Sequence, residues 1–273
     1  MTFIQAIILG IVQGLTEFLP ISSSAHLVIV PFLFKWNLNP DFVLVFNTLI
    51  QLGTLVAVIV YFWHDLMTII KAWFEGIKTR KPFENQDSKL GWLLILATIP
   101  AGIFGVLLQS KVREAMGSAT TTAIFLFVTA VLLTVTELWT RKTRDLSQLT
   151  PLDAGIIGLF QAISIFPGIS RSGATISGGM WRGLKRESAA RFSFLMSIPI
   201  MLAAGLLEVI ELFEVPGLTA MIPQILLGFL VAGIFGYLSI RWFLGYLRQK
   251  TLLPFAVYCA LLAVLVIFVA SAR

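Results

Sequence analysis

Six stretches of this chain are each about twenty residues long and mostly apolar, the length an α-helix needs to cross the hydrocarbon core of a bilayer. They fall at roughly 44–63, 90–109, 119–139, 193–210, 222–243 and 253–271. Composition agrees with this pattern. The chain is 58% hydrophobic and only 12% charged, whereas a soluble domain carries about 25% charged residues. So little charge cannot cover a soluble globule of 273 residues, nor an extended nucleic-acid surface. The seven tryptophans, Trp36, Trp63, Trp73, Trp92, Trp139, Trp181 and Trp242, stand at or near segment ends, as an interfacial belt requires. The single cysteine, Cys259, leaves no disulfide framework and no cysteine metal site. The first residues, MTFIQAIILGIVQG, show neither a basic n-region nor a cleavage motif, and read as part of the mature fold.

Two further segments are apolar but interrupted. Residues 3–34 carry Gln13, Glu17, Pro20, three serines and His26 in their middle. Residues 153–180 carry Gln161, Pro167, Gly168 and Arg171. A charge at the bilayer centre is costly, and a broken backbone must be buried in protein or line a cavity. Both segments therefore read as re-entrant helical hairpins that enter and leave on one side. Basic residues support that reading. With both hairpins re-entrant, fifteen lysines and arginines fall on one side, in the loops around 64–89, 141–144, 182–191 and 241–250. Four (Lys35, Lys111, Arg113 and Arg273) fall on the other, and Arg171 lies inside the second break. If the second hairpin crossed fully, the tally would be nine against ten. The bias places both termini outside and the long loop 64–89 in the cytoplasm. The acidic loop with Glu211 and Glu214 then lies outside.

The interrupted segments also resemble one another. A shift of 148 positions sets Ala6 on Ala154, Gly10 on Gly158, Gln13 on Gln161, Ser22 on Ser170 and Ser24 on Ser172. Ala101–Gly105 recurs as Ala232–Gly236 at a shift of 131. The chain reads as one integral membrane domain, 1–273, made of two repeats, about 1–140 and 150–273. Each holds one hairpin and three spans. Three is odd, so the halves insert upside down relative to each other and their hairpin tips meet near the midplane. The fold class expected is an all-α polytopic membrane protein with six transmembrane helices and two re-entrant hairpins in an inverted-topology repeat.

The chemistry gathers at the two tips, QGLTEFLPISSSAH at 13–26 and PGISRSGAT at 167–175. In each, a proline breaks the incoming helix and a serine cluster starts the returning one. Serine is a good N-cap, and free N–H groups with the helix dipole favour an anion. Arg171 between hydroxyls points to phosphate or pyrophosphate, which its planar fork grips with two bonds. Ser170, Ser172 and Thr175 complete that cradle, with Ser22, Ser24 and Gln13 from the other tip. Each residue also has a plain reading. Glu17 pairs structurally with Arg171, His26 is an interfacial helix residue, Ser22 and Ser24 are caps, and Gln13 and Gln161 bond across the hairpins. Ser23 and His26 lie one helical turn apart and can share a face, which suits a nucleophile and its base. His64 beside Asp65 reads as interfacial, and the remaining acidic residues as solvated, with Glu137 the least settled.

With these two motifs in their order, the sequence resembles the undecaprenyl-diphosphate phosphatase family, the bacitracin-resistance type of bacterial membrane enzyme. The resemblance covers essentially the whole chain. It implies hydrolysis of undecaprenyl diphosphate to undecaprenyl phosphate and inorganic phosphate, recycling the lipid carrier for peptidoglycan at the outer face of the bacterial inner membrane. It implies a polyprenyl diphosphate substrate, membrane lipids around the chain and a divalent cation, Mg²⁺ or Ca²⁺; a homodimer is a separate expectation for partners. Carried over by position, Glu17, Ser23, His26 and Arg171 are the catalytic residues. Gln13 stands where the family often has Glu, which leaves Glu17 as the one carboxylate for a metal. The nucleophile stays open between Ser23, His26 and a metal-bound water. The alternative class is an inverted-repeat transporter or flippase for a lipid phosphate or another anion. A structural scaffold does not explain an intramembrane Glu17 and Arg171.

Overall fold

The computed structural model describes residues 1–116, 118–212 and 218–272, and every regular element among them is helical. Glu214 and Arg273 lie outside the described residues, as do the side chains of Arg113 and Glu211. The helices are α1 (Phe3–Phe18), α2 (Ser23–Leu33), α3 (Pro40–Tyr61), α4 (Trp63–Lys78), α5 (Gln86–Leu107), α6 (Gln109–Met116), α7 (Ala119–Trp139), α8 (Pro151–Ile163), α9 (Arg171–Trp181), α10 (Arg186–Leu212), α11 (Ile222–Leu247) and α12 (Leu253–Ser271). Six of them, α3, α5, α7, α10, α11 and α12, are long and apolar enough to cross a membrane. They coincide with the six apolar stretches of the sequence. Three start earlier than expected, α3 at Pro40, α5 at Gln86 and α10 at Arg186, because polar first turns can stand in the interface.

The remaining long element corrects the sequence reading. The stretch 64–89 was expected as a loop, but its first half is helix α4. Leu66, Ile69, Ile70, Trp73 and Ile77 recur at helical spacing, with Lys71, Glu75 and Lys78 between them, so an amphipathic helix forms there.

Each interrupted segment is a pair of short helices. At about 1.5 Å per residue, α2 and α9, each 11 residues, reach about 16 Å, roughly half the hydrocarbon core. Helix α1 stops at Phe18 because Pro20 forces Leu19 into an extended conformation (φ −71°, ψ 146°). Ser22 then caps α2 by accepting from the Ala25 N–H. In the second pair Thr150 caps α8, and Ser170 caps α9 by accepting from the Gly173 N–H. Ser22 and Ser170, and Ala25 and Gly173, are 148 positions apart.

The two pairs also dock alike. Helix α1 lies on α11 and α8 lies on α5. A Cβ on Gly10 would stand 2.8 Å from the Gly228 carbonyl oxygen, and one on Gly158 would stand 2.5 Å from that of Ala97. Gly10 and Gly158 differ by the 148 shift, and Ala97 and Gly228 by the 131 shift. Only glycine permits this approach of backbone to backbone.

The base of the second pair is tied by ions. Asp153 is fully buried and takes Arg144 Nη2 at 2.7 Å and Arg182 Nε at 2.6 Å, with Thr150 adding its N–H and hydroxyl. Glu137 is buried too, and binds Arg186, Lys142 Nζ at 3.1 Å and the Leu252 N–H. The expectation that these acids are solvated is therefore wrong: each lies within reach of two basic side chains, which meet the cost of burial.

Candidate active site

The tip of the first pair meets the tip of the second inside the bundle. Ser172 Oγ donates to the Leu19 carbonyl at 2.8 Å, and the Gly168 N–H reaches Ser24 Oγ at 3.5 Å. Gly168 has φ +104°, and a Cβ there would stand 2.3 Å from the Thr122 carbonyl oxygen. Glycine thus lets the second break press against α7.

Glu17 lies at the centre. It is buried at 6% exposure, in the last turn of α1. Its Oε1 accepts from Arg171 Nη2 at 2.8 Å. Its Oε2 accepts from Ser23 Oγ at 2.6 Å and from Gln13 Nε2 at 3.0 Å. Ser23 and Arg171 are the first residues of α2 and α9, and they differ by 148. Equivalent places on the two tips thus reach one carboxylate from two sides. Arg171 has a second nitrogen, Nη1, closed off from solvent and without any hydrogen-bond partner.

The hydroxyls of the expected cradle are mostly engaged by the protein. Ser170 caps α9 and lies 3.2 Å from Ser172, as Ser22 lies 3.2 Å from Ser24. Thr175 donates to the Arg171 carbonyl and lies 2.6 Å from Ser193 Oγ. Their plain role as caps and ties is what the geometry displays. Gln13 does not bond to Gln161. It donates to Thr54 Oγ1 and Glu17, whereas both polar atoms of the Gln161 side chain are buried and unpartnered.

His26 is not bonded to Ser23. Its Nδ1 is 2.8 Å from the Ser22 carbonyl and its Nε2 is 2.7 Å from the Tyr258 hydroxyl of α12. The residue that Ser23 engages is Glu17. His64 is exposed, as expected for an interfacial residue, and the neighbouring Asp65 pairs with Arg191 at 2.8 Å.

Three contributors escaped the sequence reading: Thr54, Tyr258 and Thr129, whose hydroxyl donates to the Gly168 carbonyl and accepts from the Ser170 N–H. Each is a hydroxyl inside a mostly apolar span, and neither spacing nor motif set it apart from its neighbours.

The donor chemistry at Glu17 is carboxylate, amide and hydroxyl, which suits a hard cation. Among the described residues no group of three His, Cys, Asp or Glu side chains could hold a metal ion by itself. At Glu17 such a cation would meet one carboxylate, with amide and hydroxyl groups beside it.

The fold and the site define an α-helical, multi-pass membrane protein with a carboxylate, an arginine and a hydroxyl gathered where two short-helix pairs meet. A family model described as "Bacitracin resistance protein BacA" matches residues 6–265. The chain belongs to that family. Among curated relatives, the undecaprenyl-diphosphatase of Mycolicibacterium smegmatis is 41% identical over 269 residues, 98% of this chain and 96% of its own. That of Pelodictyon phaeoclathratiforme is 44% identical over 266 residues, 94% of this chain and 93% of its own. That of Corynebacterium striatum is 43% identical over 267 residues, 97% of this chain and 94% of its own.

Proposed function

We propose that this protein hydrolyses undecaprenyl diphosphate to undecaprenyl phosphate and inorganic phosphate, recycling the carrier for cell-wall polymers and conferring bacitracin resistance. The observation that carries the reading is the Arg171 guanidinium, with one nitrogen on Glu17 and Nη1 buried and unpartnered. A buried charged donor without a partner is costly. A phosphate oxygen supplies the missing acceptor in the geometry a guanidinium prefers. The relatives' shared name supports the same substrate.

In this reading the diphosphate occupies the junction of the tips while the prenyl chain lies between helices. Ser23 is the nucleophile. Its hydroxyl already donates to Glu17, so the carboxylate takes the proton as the Oγ–phosphorus bond forms and the bond to the undecaprenyl phosphate oxygen breaks. Water then releases phosphate from Ser23. Arg171 stabilises the charge that grows on the transferring phosphoryl group. The Ser22 and Ser170 caps, with Ser24, Ser172 and Thr175, hold both helix starts toward that group. A divalent cation, Mg²⁺ or Ca²⁺, would be held by Glu17 with Gln13 and by substrate oxygens, and would neutralise phosphate charge.

The setting is the bacterial inner membrane, with both termini and the site opening on the outer side and the short-helix pairs as re-entrant hairpins of two inverted repeats. The charge bias supports the orientation, and the matched contacts of Gly10 and Gly158 support the duplication.

The test is phosphate release from a prenyl diphosphate in detergent micelles, with and without a chelator. A pure carrier or flippase would release none. With the terminal phosphate radiolabelled, rapid acid quenching should trap label on Ser23. A fully active enzyme that never carries label would transfer the role of nucleophile to water.

A further inference from the structure

Helix α12 is almost wholly apolar, and Tyr258 and Cys259 face the first tip from it. Cys259 Sγ donates weakly to the Pro20 carbonyl at 3.8 Å. Tyr258 makes the stronger contact, 2.7 Å from its hydroxyl to His26 Nε2, with the two rings nearly parallel at 4° and their centroids 5.6 Å apart. The tyrosine is 43% exposed, so its ring lies on the flank of the bundle and its hydroxyl points inward. A phenylalanine would cover the same surface. What the hydroxyl adds is the bond to His26.

That bond orients the His26 ring. His26 Nδ1 lies 2.8 Å from the Ser22 carbonyl oxygen, and a carbonyl only accepts, so Nδ1 carries hydrogen. In the neutral ring Nε2 then has only a lone pair, and Tyr258 is its donor. The other end of the chain of contacts is strained. Ser22 has φ +67°, a left-handed conformation uncommon for a residue with a side chain. Its carbonyl takes both the backbone N–H of His26, at 3.3 Å, and the His26 ring. The next residue is Ser23, whose hydroxyl is on Glu17.

We propose that Tyr258 is a positioning residue for hydrolysis: its hydroxyl holds the His26 ring in place, and His26, through the Nδ1–H that the Ser22 carbonyl selects, holds the strained Ser22 turn that presents Ser23 to Glu17. His26 then acts on backbone rather than on substrate, and a residue of the last helix sets the geometry of a nucleophile near the start of the chain. This rests on the phosphatase reading above.

The experiment combines kinetics with nitrogen NMR. The chain has two histidines, so ¹⁵N-histidine labelling gives two side-chain signal sets, and His64→Gln identifies them. In the unmutated protein the His26 ring should appear as one neutral tautomer with hydrogen on Nδ1. In Tyr258→Phe the hydrogen should stay on Nδ1 while the Nε2 signal loses the shift of its hydrogen bond, with kcat for phosphate release down about tenfold, the loss expected from an unsatisfied buried acceptor, and KM within twofold. His26→Asn keeps a donor near the Nδ1 place for the Ser22 carbonyl but cannot reach Tyr258. In that background Tyr258→Phe should change kcat less than twofold, and His26→Asn should retain more activity than His26→Gln. Hydrogen on Nε2 in the unmutated protein, which needs no variant to fold, overturns the proposal. So does an unchanged kcat in Tyr258→Phe, or an equal loss in the His26→Asn background. Absence of phosphate release from the unmutated enzyme would instead overturn the phosphatase reading, leaving the tautomer result to stand on its own.

Discussion

The two tips share a backbone and differ in what they carry. Each starts its second short helix with a serine cap bonded to an N–H three residues on, and each has a second serine hydroxyl 3.2 Å from the cap. At the next position the first tip has Ser23 and the second has Arg171, and both reach Glu17. A second difference follows at His26, whose counterpart is Ala174. The symmetric part builds the helix starts. The asymmetric part supplies a carboxylate, a hydroxyl and a guanidinium, each once. Duplication can place two equal frames face to face, but a hydrolytic site needs unlike groups, so function lies in the positions where the halves diverge.

The sharpest way to break this comparison is to remove the unlike groups. Glu17→Gln should lower phosphate release about 10³-fold, since it removes the proton acceptor and leaves Arg171 unpaired. Arg171→Ala should lose about 10²–10³-fold, and Arg171→Lys should recover little because it lacks the planar fork. Near-normal rates in either variant would mean that the asymmetric positions are not the chemistry. A second comparison concerns the bases of the two pairs. That of α8–α9 is tied by Asp153 to Arg144 and Arg182, whereas α1 begins on a Thr2 capping box. Asp153→Ala should therefore cost about 3–5 kcal/mol of stability, read as a large fall in melting temperature in detergent, while Thr2→Ala should cost about 1 kcal/mol.

Smaller effects test the symmetric frame. Gly10→Ala and Gly158→Ala should each destabilise by about 1–3 kcal/mol through overpacking. Gly158→Ala should be the worse, because its Cβ would lie nearer to carbonyl oxygen. Smallest of all, Ser22→Ala and Ser170→Ala should each cost about 1 kcal/mol as lost caps. If one glycine or one cap proved neutral while its counterpart did not, the frames would be less alike than their contacts imply.

Much of the architecture is legible in the chain because bilayer thickness constrains it. Spans announce themselves by length, and breaks by Pro20 and Pro167 among polar residues. Helix α4 was harder to see, since its apolar stripe is diluted by charge. Buried Asp153 and Glu137 were misread because only packing brings Arg182 and Arg186, 29 and 49 residues away, to join the nearer Arg144 and Lys142. The same holds at the site. Glu17, Ser23 and Arg171 stand in motifs, whereas Thr54 and Tyr258 arrive from spans with no motif, 41 and 232 residues from the side chains they touch. Local pattern identifies a motif; only packing shows which distant hydroxyl completes it.

Without ligand, the carboxylate of Glu17 and the guanidinium of Arg171 are each other's counter-ion. The resting junction therefore contributes no net charge, a condition under which the bundle can close over it. A ligand oxygen that bonds to Nη1 leaves that pair in place, because Glu17 occupies only Nη2. The guanidinium is thus held before a ligand arrives, and binding costs little further side-chain ordering. The resident ion pair acts as a mount for the donor that faces the ligand.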